Sequence, residues 1–197
     1  MVCLQLKHGT TGLWWGCYFT WPLILVLTLL LLFIAQCARF SHCPRATHEI
    51  AVKKSFRYRK GSFDQGIILT PTPDAFDTEC YCDSDFVGIF GSEDSTDPVC
   101  SRSRTGYVIT LAGCPLLWVS KLQTTTALST MEAEYQALSA SCWDLIPLRH
   151  IIQEASTALH IGKGSAVRSF SKVYEDNSAC LSQATMPKMT PRTKHIA

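Results

Sequence analysis

Ser129-Thr-Met-Glu132 opens an amphipathic helix, and the segments on either side of that helix narrow the possible folds more than any other feature. Ser129 suits the N-cap, and Glu132, three residues on, suits the reciprocal partner of a capping box. Met131, Tyr135, Leu138 and Cys142 follow at i, i+4, i+7 and i+11, an apolar stripe that needs a core to cover it. Three runs with strand character precede the helix, over residues 76–86, 105–111 and 116–122. Ala112-Gly113 is a turn between the last two, and Pro115 delays the third. Pro147 is expected to end or kink the helix after about Leu145, and residues 148–159 read as a second one. Residues 169–175 form a fourth strand and 178–184 start another helix. The order is β-β-β-α-α-β-α, an α/β pattern. Three consecutive strands predict an antiparallel meander, and the helical crossover returns the fourth strand parallel to the first.

This order carries three acids to one place. Asp83 lies late in the first strand, Glu134 near the start of the helix, and Asp176 at the end of the fourth strand. Ligand sites of α/β sheets form beyond the carboxyl ends of strands. Three converging carboxylates do not all stay ionised without a cation, because like charges raise one another's pKa. Hard divalent ions with oxygen ligands resolve the conflict, and Mg²⁺ prefers a few carboxylates plus water and phosphate. Two such ions about 4 Å apart activate water and stabilise a leaving oxygen in phosphodiester hydrolysis. Competing assignments stay open. Asp85 shares the face of Asp83, Glu132 adjoins Glu134, and Asp176-Asn177 suits a helix cap.

The 197 residues suffice for one domain with a sizeable core. Net charge is +2, but its distribution is uneven: from Arg39 to Lys60 there are seven Lys/Arg and one acid, and from Asp74 to Asp97 eight acids and no base. The basic stretch holds a helix expected over 47–60, with Thr47 as its start cap and Gly61 as its end cap. Lys53, Lys54, Arg57 and Lys60 on that helix are candidate phosphate-backbone contacts. Residues 66–69 are a short strand candidate before the Pro71/Pro73 turn. Ten cysteines without a Cys-x-x-Cys pair point to buried free thiols rather than zinc or a disulfide scaffold.

Residues 9–38 carry no charged side chain, and 23–35 are almost wholly apolar. A membrane span needs about 20 apolar residues, and Trp14 and Trp15 suit an interfacial belt. Pro22 leaves only thirteen residues after it. A signal peptide fits poorly as well, because the first 22 residues hold Lys7 as their one fixed positive side chain.

Several motifs together resemble the ribonuclease H region of copia-type retrotransposon polyproteins. They are Tyr81-Cys-Asp-Ser-Asp-Phe-Val-Gly88, Ser103-Arg-Thr-Gly-Tyr-Val108, Trp118-Val-Ser-Lys-Leu-Gln123, Leu128-Ser-Thr-Met-Glu-Ala-Glu-Tyr-Gln-Ala-Leu138, Glu175-Asp-Asn177 and Lys194-His-Ile196. Residues 36–41, 48–53 and 58–61 are similar to the end of the reverse transcriptase that joins it. The resemblance implies a ribonuclease H-like mixed sheet and Mg²⁺-dependent cleavage, with two ions, of the RNA strand in an RNA–DNA hybrid. It implies Asp83, Glu134 and Asp176 as catalytic and metal-binding acids, and a fourth ligand from a later helix, for which His195 is a poor stand-in.

The resemblance divides the chain into a non-family segment over 1–35, a remnant of the reverse transcriptase connection over 36–73, and a ribonuclease H-like domain over 74–197. Ser55 and Arg59 replace apolar residues that such a connection carries. The chain stops before the fifth strand and last helix of the fold, so an exposed sheet edge and weak or absent activity are expected. The polymerase portion is the implied missing partner, and residues 1–35 have the character of a shifted frame or foreign exon. Rival readings are a non-catalytic nucleic-acid-binding remnant and a membrane-anchored protein held by residues 14–35. Membrane localisation follows from the latter, and a cytoplasmic or nuclear one from its failure.

Overall fold

The computed structural model describes residues 2–6 (backbone), 37–38, 41, 44–61, 69–72, 77–88, 98–160 and 170–186. The chain divides into two compact units, Met1–Thr10 with Pro71–Ala197, and Thr11–Thr70. In chain order the elements are β1 (Val2–Leu6), α1 (Ala46–Gly61), β2 (Thr78–Asp85), β3 (Arg104–Leu111), β4 (Cys114–Leu122), α2 (Thr130–Ala158), β5 (Ser171–Glu175) and α3 (Ser178–Thr185).

The first unit is a mixed five-stranded sheet in the order β1-β5-β2-β3-β4, with α2 packed on it. β2, β3 and β4 form the expected antiparallel meander, and β5 returns parallel to β2. This is the expected α/β class, compatible with a ribonuclease H-like sheet. Alternation builds its core: Cys80 and Cys82 of β2 face inward, opposite Ile109 and Tyr107 of β3, and Val173 of β5 lies beside Cys80. Leu138 and Leu145 of α2 and Cys180 of α3 close the cluster. The predicted stripe of α2 lies at the rim of this core: Met131, Tyr135 and Cys142 are half-buried, while Ala133, Ala137 and Ser141 are fully buried. The described cysteines are free, as expected. Burial pushes the Cys80 and Cys180 thiols up to about 12 and the Cys82 thiol higher still, so they serve as apolar packing groups. Replacing Ile109, which is fully buried, by Ala is expected to cost about 2–5 kcal/mol in urea unfolding. Trp143→Ala, at a position 78% exposed, is expected to stay within about 0.5 kcal/mol.

Four expectations need correction. Pro147 neither ends nor divides the helix, because α2 runs unbroken through it. The proline ring is exposed, between buried Leu145 and half-buried Leu148, so water can serve the carbonyl that loses its partner. β4 starts at Cys114, ahead of Pro115. It is an edge strand, and a register irregularity between Ile109 and Thr110 accommodates the missing N–H. Ala112 and Gly113, with φ of 53° and 79°, supply the left-handed pair that a two-residue hairpin turn requires. α1 begins at Ala46 rather than after a Thr47 cap; the Arg45 N–H donates to His48 Nδ1 at 3.1 Å instead. Finally, the expected bare edge at β5 carries β1, paired parallel from Val2↔Ser171 to Leu6↔Glu175.

The second unit contributes α1, which has no buried residue. Lys53, Lys54, Arg57 and Lys60 are exposed along it, and Lys53 pairs with Glu49 at 2.5 Å. Among the described residues no helix is long and apolar enough to cross a membrane. Residues 14–35, the 66–68 part of the short strand candidate, and Lys194-His195 lie outside the described residues.

Candidate metal centre

Strand register explains why Asp83 and Asp176 meet. β2 and β5 run parallel with Thr78↔Ser171 through Tyr81↔Tyr174; two residues further along the chain lie Asp83, still in β2, and Asp176, just past the end of β5. Glu134 enters from α2, whose start is fixed by its cap. Ser129 is extended, with φ −153° and ψ 162°, and its Oγ accepts from the Glu132 N–H at 3.2 Å. Glu132 Oε2 accepts in turn from the Leu128 N–H at 2.9 Å, one residue before the position that a standard capping box uses. Glu132 is thus occupied by the helix start, and Glu134 remains for the site.

One carboxylate oxygen from each of Asp83, Glu134 and Asp176 lies within 4.8 Å of the others. Asp83 and Asp176 are exposed and Glu134 is buried, so the cluster opens to solvent on one side. Asp85 is not in this group; its carboxylate crowds the backbone at Gly88, where a side chain would collide with it. Asp176 does not cap α3 either. That task falls to Asn177, whose Oδ1 accepts from the N–H groups of Ala179 and Cys180, each at 3.0 Å. Glu132 and the α3 cap thus have other occupations, in the start of α2 and in Asn177.

The electrostatics are those of crowded acids without a counter-charge. Burial pushes Glu134 up to about 8, and Glu175, Asp83 and Asp176 add to the shift, while the Ser84 backbone opposes it. Glu134 Oε2 is buried with no hydrogen-bond partner among the described residues. A buried oxygen of this kind is costly unless something binds it. Three oxygen donors of hard character around one unpartnered carboxylate oxygen fit a hard divalent cation such as Mg²⁺.

Glu175 is a further acid of the site, one that the sequence reading left aside. It is fully buried at the end of β5. Its Oε1 accepts from the Asn177 N–H at 3.1 Å and its Oε2 from Cys82 Sγ at 3.3 Å. Burial raises its pKa first, with Asp176 and Asp83 adding to the shift. It ties the Asp176-Asn177 corner to β2. The strand alternation Ser171, Val173, Glu175 was a signal in the sequence that this side chain faces the core. The phosphate-contact candidates Lys53, Lys54, Arg57 and Lys60 belong to the other compact unit.

Comparison with known proteins gives three informative matches. A stretch of 159 residues, 81% of this chain, is 30% identical to the retrovirus-related Pol polyprotein from transposon TNT 1-94 of Nicotiana tabacum. A stretch of 164 residues, 83% of the chain, is 27% identical to the retrovirus-related Pol polyprotein from transposon RE2 of Arabidopsis thaliana. The chain spans about 10% of the length of each. Over 109 residues, 55% of the chain, it is 33% identical to the secreted RxLR effector protein 161 of Plasmopara viticola, covering 70% of that protein. No family model and no solved structure matches.

Proposed function

We propose that this chain, which is similar to retrovirus-related Pol polyproteins of transposons, uses its acidic centre to bind Mg²⁺ and hydrolyse the RNA strand of RNA–DNA hybrids. The observation that carries this is the convergence of one oxygen from each of Asp83, Glu134 and Asp176 within 4.8 Å, with Glu134 Oε2 buried and unpartnered among the described residues. Asp83, Glu134 and Asp176 would hold the cations. When bound, these supply an activated water and stabilise the leaving oxygen of the phosphodiester. The protein's own part is placement. Asp83 and Asp176 stand at the open side, where a phosphate approaches. Glu134 closes the inner side, and a positive ion beside it would favour its charged form at neutral pH. Glu175 keeps Asp176 in line with β2 through Asn177 and Cys82. Exposed Lys53, Lys54, Arg57 and Lys60 provide a basic helix for a phosphate backbone, with a salt-dependent contribution to affinity.

The test uses the full chain and an RNA–DNA hybrid labelled on both strands. Slow, Mg²⁺-dependent cleavage of the RNA strand is expected, and its loss in Asp83→Asn. A low rate is part of the proposal, since three acids converge among the described residues and the resemblance implies a fourth ligand. Cleavage that persists in EDTA or in Asp83→Asn would overturn it. Hybrid binding that survives Glu134→Gln, with no cleavage by the unsubstituted chain, would instead support the non-catalytic binding remnant.

A further inference from the structure

We propose that Gln123 is a positioning residue that fixes Glu134 relative to Asp83 and thereby sets the cation affinity of the centre, an inference that rests on the metal-dependent function above. Gln123 closes the Trp118-Val-Ser-Lys-Leu-Gln123 motif, immediately after β4, and is 5% exposed. Its backbone N–H donates to the Ser103 carbonyl at 2.9 Å, which anchors the residue beside β3. Its side-chain Nε2 donates to the Ala133 carbonyl at 2.9 Å and to Thr105 Oγ1 at 3.1 Å, and lies 3.4 Å from Ser84 Oγ.

These acceptors frame the site. Ala133 immediately precedes Glu134 in α2, and Ser84 immediately follows Asp83 in β2. Thr105 is the cross-strand partner of Ser84. A single amide therefore ties the first turn of α2 to the ends of β2 and β3, at the residues next to two of the three acids. The Ala133 carbonyl has two lone pairs, so it can accept from this amide in addition to its helical partner. The amide is a short, planar spacer inside a closed interior, and such groups behind metal ligands tune affinity without touching the ion. Glu134 receives a backbone hydrogen bond from Ser84 and leaves Oε2 unpartnered among the described residues. Its aim depends on where the turn is held.

A Gln123 with only a packing role would alter stability and leave the folded chain's cation affinity unchanged. The test is Mn²⁺ binding to the full chain, followed by the electron-paramagnetic-resonance signal of free Mn²⁺, for the unsubstituted chain and for Gln123→Met. Methionine keeps the volume and removes the donor. The Oε1 atom has no partner among the described residues, so no second bond is lost there. Circular dichroism selects conditions in which both chains are folded. The expected result is Mn²⁺ binding at least ~10-fold weaker in Gln123→Met. In hybrid cleavage the variant should need more Mg²⁺ for half-maximal rate, while the rate at saturating Mg²⁺ recovers to within a few-fold. Gln123→Asn, whose amide falls one methylene short of Ala133, carries the same expectation should Gln123→Met not fold. Equal Mn²⁺ affinity in a folded variant would overturn the role of Gln123 and leave the metal centre standing. Absence of Mn²⁺ binding by the unsubstituted chain would overturn both.

Discussion

Glu134→Gln is expected to stabilise the metal-free chain at pH 8 by roughly 2–4 kcal/mol while abolishing both its response to Mg²⁺ and the proposed hydrolysis of hybrid. The substitution removes a buried charge on which no counter-charge acts among the described residues and which faces three other acids, Glu175, Asp83 and Asp176. Burying an unpaired charge is among the costliest arrangements in a protein interior, so its neutral isostere relieves the fold. The same change takes away the buried carboxylate on the inner side of the proposed cation site. Stability and function therefore move in opposite directions at this residue. Urea unfolding with and without Mg²⁺, with a hybrid-cleavage assay on the same preparations, measures both. A Gln variant that is less stable in EDTA, or still stabilised by Mg²⁺, would count against Glu134 as the buried ligand.

The unsubstituted chain, in EDTA, is expected to lose stability as pH rises from about 4.5 toward about 8. Glu134 keeps its proton up to about 8 in the folded chain, against an ordinary value of 4.5. Between those limits the unfolded chain has released a proton that the folded chain retains, so raising the pH favours unfolding. The contribution of Glu134 is fully present below about 4.5 and is lost as pH passes through about 8. At its steepest the slope approaches ~1.4 kcal/mol per pH unit, the value for one proton. Glu175, raised chiefly by its burial, acts in the same direction. Bound Mg²⁺ favours ionised Glu134 and should flatten the dependence, with added stability of about 2.7 kcal/mol at 100 times the dissociation constant. Unfolding curves at several pH values, in EDTA and in Mg²⁺, give both slopes. Stability in EDTA that is flat or rising between pH 5 and 8, despite these acids, would exclude the buried, crowded carboxylate.

Much of the fold's order was legible because it is written locally. The spacing of the cysteines pointed to buried free thiols, and the structure buries Cys80 and Cys82. Ser129 and Glu132 marked a helix start that the hydrogen bonds realise, with Glu132 bonding one residue further back. Asp83, Glu134 and Asp176 were picked out by their places at strand ends and a helix start, and those places converge. Glu175 was overlooked because Asp176-Asn177 drew attention to the cap, although the alternation of β5 already turned Glu175 inward. Pro147 misled because a proline's effect depends on whether its face of the helix is solvated.

By itself, then, the sequence established the order from β2 to α3 apart from the break expected at Pro147, the Ser129 cap, the Ala112-Gly113 turn, and the three acids worth pairing. Each of these depends on hydrogen bonds and periodicities that span only a few residues. Which groups meet across the chain was decided by the assembled sheet. Val2 pairs with Ser171, Cys82 reaches Glu175, and Gln123 joins Ala133 to Thr105. These contacts follow from how strands stack and from which polar atoms are closed off from water. The unpartnered Glu134 oxygen also belongs to that level. No local pattern shows whether a carboxylate at a helix start is solvated or enclosed, and the proposed cation site rests on that enclosure.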